Sequence, residues 1–160
     1  MRISTFAVAL VAMAGTAPAA FAQDAAGSPS YFQLGLGGGP DSAGFNLTYG
    51  RDVSAFTLEA EVLALGNVRQ ASNDEVSAHF GVAGLVNAVV RSREGRFRPY
   101  GGLGLGTSTG GGLFLQGKAG FAVQTFKRQA VTFEARVLGG TDGDGLGGTG
   151  LALIGYRFGG

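Results

Sequence analysis

From Tyr31 to Phe158 the chain is written in period two: short runs in which apolar residues alternate with polar residues or glycine, separated by clusters of Gly, Asp, Asn and Ser. That period belongs to strands with one apolar face, because helical apolar positions recur every three or four residues. Past residue 22 no apolar run reaches the roughly 18 residues that a membrane-crossing helix needs. Many such strands in succession must hide their edges, which points to a sheet closed on itself as a barrel.

Eight runs can be read. Tyr31 to Gly37 sets Phe32, Leu34 and Leu36 against Gln33, Gly35 and Gly37; Phe45 to Gly50 sets Phe45, Leu47 and Tyr49 against Asn46, Thr48 and Gly50. Ala55 to Leu65 is the clearest, with Phe56, Leu58, Ala60 and Val62 alternating with Thr57, Glu59, Glu61 and Leu63. The fourth run carries Ala78, Phe80, Val82, Val86, Ala88 and Val90 on one face and His79, Gly81, Ala83, Leu85 and Asn87 on the other. The fifth is Phe97 to Gly106, with Pro99 near its start, where a missing N–H does least harm. Leu113 to Gln124 sets Leu115, Ala119, Phe121 and Val123 against Gln116, Lys118, Gly120 and Gln124, and the seventh alternates Val131, Phe133, Ala135 and Val137 with Thr132, Glu134 and Arg136. The last, Gly150 to Phe158, presents Ala152, Ile154, Tyr156 and Phe158 on one face, and it reads as the strand that pairs back to the first. Gly38 to Asp41, Gly66 to Asp74, Arg91 to Arg96 and the glycine-rich Gly139 to Gly148 are expected to be connections.

The first 22 residues stand apart. Met1-Arg2, an apolar run from Ile3 to Ala14 and the small residues Ala20-Phe21-Ala22 have the form of a secretory signal peptide, with cleavage expected after Ala22; a retained N-terminal anchor helix is the alternative. Residues 23–30 then form a short N-terminal segment and residues 31–160 the barrel. Loss of the leader removes Arg2 and leaves eleven Lys and Arg against eleven Asp and Glu. Such a balance gives no support to nucleic-acid binding, which needs clustered positive charge. The chain has no cysteine, so disulfide frameworks and thiolate metal sites are out. Charged residues make up only 14% of the chain, against about 25% in ordinary soluble domains. An exported chain so poor in charge and without a spanning helix points to an all-β fold, an eight-stranded antiparallel up-and-down transmembrane β-barrel.

Periodicity alone leaves open which face points outward, since a soluble barrel would bury the phenylalanines. The polar face, however, is full of glycine, at 35, 37, 102, 104 and 106, and this suits a narrow interior better than a solvated surface. The apolar face is therefore expected to meet lipid. Counted from a periplasmic N-terminus, the links at Arg51-Asp52, Arg91 to Arg96 and Phe126 to Gln129 fall on the periplasmic side and lean basic; those at Asp41, Asp74-Glu75 and Asp142 to Asp144 fall on the outer side and lean acidic.

With the leader, Arg98-Pro99-Tyr100-Gly101-Gly102-Leu103-Gly104-Leu105-Gly106, Gln116 to Phe121, Val131 to Val137 and the terminal Tyr156-Arg157-Phe158, the chain resembles the small outer-membrane β-barrel proteins of Gram-negative bacteria, of the OmpA transmembrane-domain, OmpX and opacity-protein type. The resemblance implies outer-membrane lipid as surroundings, and barrel-insertion machinery that reads the closing aromatic residue, here followed by Gly159-Gly160. A monomer is expected.

Two groups of residues are singled out. Glu59, Glu61, Lys118, Glu134 and Arg136 should project inward near mid-barrel, either as a salt-bridged plug or as the lining of a gated pore. Tyr156 and Phe158 should form part of an aromatic girdle at a membrane boundary. His79, the only histidine, has no nucleophile motif beside it and is expected to be packed or hydrogen-bonded; no catalytic residues, cofactor or metal site are expected, and the glycine turn at 140–145 is a weak calcium candidate at best. Three functions follow: a structural or surface-interaction barrel of the envelope, a narrow porin-like channel, and a soluble periplasmic barrel that binds an apolar ligand.

Overall fold

The computed structural model describes residues 29–40, 42–70, 76–142 and 145–159. Eight strands follow one another: β1 Ser30–Gly39, β2 Ser42–Val53, β3 Phe56–Gln70, β4 Val76–Arg91, β5 Phe97–Ser108, β6 Leu113–Phe126, β7 Gln129–Asp142 and β8 Gly145–Gly159. Each is antiparallel to its neighbours in sequence, and β1 pairs with β8, so the sheet closes on itself as an up-and-down barrel. Closure satisfies the backbone of every strand from both sides, and no edge is left to pair with another chain.

The strands tilt. A walk across registered partners from Tyr31 through Gly50, Glu59, Asn87, Gly104, Gln116 and Leu138 reaches Thr149, ten residues short of Gly159, the residue with which Tyr31 itself pairs. Such a stagger is the geometric condition for closing a sheet into a barrel.

Several expected connections are strand. Gly139, Gly140, Thr141 and Asp142 pair with Gly148, Gly147, Leu146 and Gly145, so most of the glycine-rich stretch is a β7–β8 ladder. β3 runs on to Gln70, and Gly38 and Gly39 belong to β1. Arg51 and Asp52 belong to β2, which ends at Val53 and leaves Ser54-Ala55 as the turn, and Phe126 ends β6, leaving Lys127-Arg128. The physical reason is common to all: a ladder is held by backbone hydrogen bonds to both neighbours, and these form whether or not the side chains alternate. At the two-residue β2–β3 turn the chain reverses through Ser54, whose φ is 56°, a left-handed conformation usually left to glycine. The expected leader, 1–22, lies outside the described residues, as do Asp41, Asp74, Glu75 and Asp144.

Orientation of the faces is inside-out relative to a soluble protein. Phe80, Leu103, Leu105, Leu113 and Leu115 are between 65% and 74% exposed, while Glu59, Glu61, Lys118, Glu134 and Arg136 are at most 5% exposed. From Phe80 to Val90 on β4, at about 3.3 Å per residue and a tilt of about 40°, the apolar band is roughly 25 Å tall, the height found on outer-membrane barrels.

Candidate functional site

Polar side chains are concentrated in the lumen, which is built in three tiers. Every inward residue is dictated by strand alternation; which of them meet is dictated by closure. Glu59 and Glu61 project from β3, Lys118 from β6, and Glu134 and Arg136 from β7. Lys118 and Arg136 are registered partners on adjacent strands, a like-charge pair that would repel in isolation. Three carboxylates resolve it. Lys118 Nζ donates to Glu59 and lies 3.8 Å from Glu61 Oε2 and 3.9 Å from Glu134 Oε2, and Arg136 donates to Glu61 through Nη1 and to Glu134 through Nε. Asn46 Nδ2 and Asn87 Nδ2 add hydrogen bonds to the two oxygens of Glu61 at 2.9 and 3.0 Å, and Gln116 Nε2 donates to Asn87 Oδ1 at 2.9 Å. Buried charges held this way are costly to break singly, because any survivor is stranded away from water.

Toward the end of the barrel that holds residue 30 and Gly159, the network continues through residues that sequence analysis did not single out. The Tyr31 hydroxyl donates to Glu59, and the Arg157 guanidinium lies over the Tyr31 ring at 4.2 Å and the Tyr100 ring at 5.1 Å while donating to Gln33 Oε1 at 2.9 and 3.1 Å. Below Arg157, Asp52 accepts from Arg91 at 2.7 Å and from Thr57 at 2.6 Å. Toward the opposite end the lumen turns apolar: Leu63, Ala83, Leu85, Leu138, Leu151 and Leu153 pack into one cluster, with Leu65 against it. The inward leucines of β8, at odds with a polar interior, belong to this second plug.

Three glycines on the inner face are filled by a neighbouring side chain. A Cβ at Gly104 would collide with Asn87 Oδ1, one at Gly35 with Asn46 Oδ1, and one at Gly50 with the Tyr31 ring. Each glycine is the hollow into which a large neighbour fits, the small-against-large filling of narrow barrels.

On the outer face Tyr156 and Phe158 meet edge-on at 4.8 Å, and the Tyr156 hydroxyl donates to Gln129 Oε1 at 2.6 Å. Phe158 is registered with Phe32, which packs on Tyr49 at 5.0 Å; farther round, Phe97, Phe121 and Phe133 stack at 4.8 and 5.1 Å. These partners come from different strands, so only Tyr156 and Phe158, two residues apart on one face of β8, were legible as a pair. His79 is not packed: it is exposed near the start of β4. The calcium candidate at 140–145 lies partly outside the described residues; its described part is β7–β8 ladder. Among the described residues no cluster of His, Asp and Glu is arranged to hold a metal ion.

Against known proteins, no family model matches the chain, and no curated protein sequence does. Solved structures do. Neisserial surface protein A superposes with a TM-score of 0.60 at 12% identity, covering 82% of this chain and 96% of that one. The fold is that of a small outer-membrane β-barrel. A designed transmembrane β-barrel follows with a TM-score of 0.58 at 16% identity, covering 82% and 94%, and the outer membrane protein Ail of Yersinia pestis with 0.54 at 16%, covering 82% and 100%. At identities this low, what is shared is the barrel fold.

Proposed function

We propose that this protein is an outer-membrane barrel with a closed lumen, which serves the cell envelope as a structural or surface-interaction element and does not act as a channel. One observation carries the reading: the barrel is apolar outside and filled inside. A belt of exposed Phe, Leu and Val has no stable place in water, and the same belt at about 25 Å height matches a hydrocarbon core. That distribution also counts against a soluble ligand-binding barrel, which would need the polar face outward. Inside, an ion-paired tier and a leucine tier lie in series, so an ion would have to disrupt one and dehydrate through the other. Short connections at both ends favour an envelope role over a dedicated adhesin.

The experiment is a pair of measurements on the native outer-membrane fraction. Gel mobility in detergent should shift on boiling, and the purified barrel in a planar bilayer should give no stepped current. A stable unitary conductance would replace this reading with the channel. Recovery in the soluble periplasmic fraction would remove the membrane assignment.

A further inference from the structure

The barrel's residue-30 end holds positive charge that its surroundings do not balance. A recess opens there, lined by Arg91, Arg98, Lys127, Arg128 and Arg157, with no carboxylate in its wall. Three of these cations are fixed from behind. Arg98 Nε donates to Gly95 O at 3.0 Å and its Nη2 to Gln124 Oε1 at 2.8 Å, which orients the guanidinium plane. Arg157 is 5% exposed and has a neutral acceptor, Gln33, and two tyrosine rings as its neighbours, so its charge is held in place but not cancelled. Arg91, whose side chain is 10% exposed, gives Nη2 to Asp52, while its buried Nε has no acceptor among the described residues. Lys127 and Arg128, exposed on the β6–β7 turn, overhang the same opening.

Five cations from three strands and one turn around one concave site, with no carboxylate among the lining residues, suit a tetrahedral oxyanion. Guanidinium forks match phosphate oxygens in geometry, and a single carboxylate would satisfy only one of them. We propose that this recess binds a phosphate group, presented either as a free phosphate or as an anionic lipid headgroup of the leaflet at this end of the barrel. Binding of the free anion needs only the folded barrel and does not depend on whether the lumen conducts or on the membrane assignment.

The test uses full-length barrel refolded in an uncharged sugar detergent, with folding of every variant checked by its heat-shifted gel band. Arginine side-chain 15N–1H resonances are followed while inorganic phosphate is titrated against sodium chloride at equal ionic strength. The expected result is a saturable shift of Arg98 and Arg157 with phosphate and not with chloride. Arg98→Gln, and the pair Lys127→Gln with Arg128→Gln, should each weaken it about tenfold, the loss of one charge-assisted hydrogen bond. In a second arm the barrel is placed in phosphatidylcholine vesicles with or without phosphatidylglycerol. Shifts that need phosphatidylglycerol, without a response to inorganic phosphate, assign the headgroup as the source. Equal responses to chloride and phosphate, unchanged affinity in both surface variants, or no response in either arm would overturn the proposal.

Discussion

Arg136 on β7 and Glu61 on β3 form an ion pair across the full width of the lumen: their strands stand opposite each other in the eight-strand ring, and neither side chain is exposed. The contact is thus a strut between facing walls, and its removal should be felt by the whole barrel. Arg136→Met should destabilise the folded barrel by about 3–5 kcal/mol, because it strands Glu61 and Glu134 without their guanidinium. The double variant Arg136→Met with Glu61→Gln should recover much of that loss. Urea unfolding of the four species in a double-mutant cycle measures it; strictly additive losses would show that the pair is not coupled.

The proposed closed lumen sets two barriers in series against conduction. Lys118→Ala alone should leave the bilayer current near baseline, because the leucine tier remains behind the opened charge tier. Lys118→Ala combined with Leu151→Ala and Leu153→Ala should give stepped currents. Full conduction in the lysine variant alone would mean that the leucines do not close the lumen.

Gly104 and Asn87 occupy complementary spaces on β5 and β4. Gly104→Ala should cost about 1–3 kcal/mol through overpacking, and Asn87→Ala in the same chain should relieve the steric part. Equilibrium unfolding compares the two. If the alanine is tolerated freely, the interior has slack that the fold does not reveal.

Leu105 is 65% exposed on the outer face and registered with Val86, near the middle of the apolar band. Leu105→Arg should cost about 2–4 kcal/mol for folding into lipid, the penalty of a cation at the midplane. A soluble barrel would tolerate or welcome the same change. Folding yield into phosphatidylcholine vesicles across a urea series decides between them.

Much of this architecture was readable in advance. Alternation at Phe56 to Leu63, or at Val131 to Val137, defines both a strand and its two faces, because side chains leave a pleated backbone on opposite sides whatever the tertiary context. Strand ends were not readable where glycine replaced the alternation, as at Gly139 to Gly148, since a ladder is made by backbone groups that every residue carries.

The sequence by itself determined eight strands, their polar and apolar faces, and the inward placement of Glu59, Glu61, Lys118, Glu134 and Arg136. Tertiary structure alone decided what those side chains touch. Closure with a ten-residue stagger brings β3 against β6 and β7 across the lumen, joins Tyr31 near the start of the barrel to Glu59 and Arg157, and gathers leucines from β3, β4, β7 and β8 into one layer. It also sorts a chain with nearly equal numbers of opposite charges into an ion-paired core and a positive rim. No spacing within a strand encodes such contacts, because they run across the barrel, perpendicular to the chain.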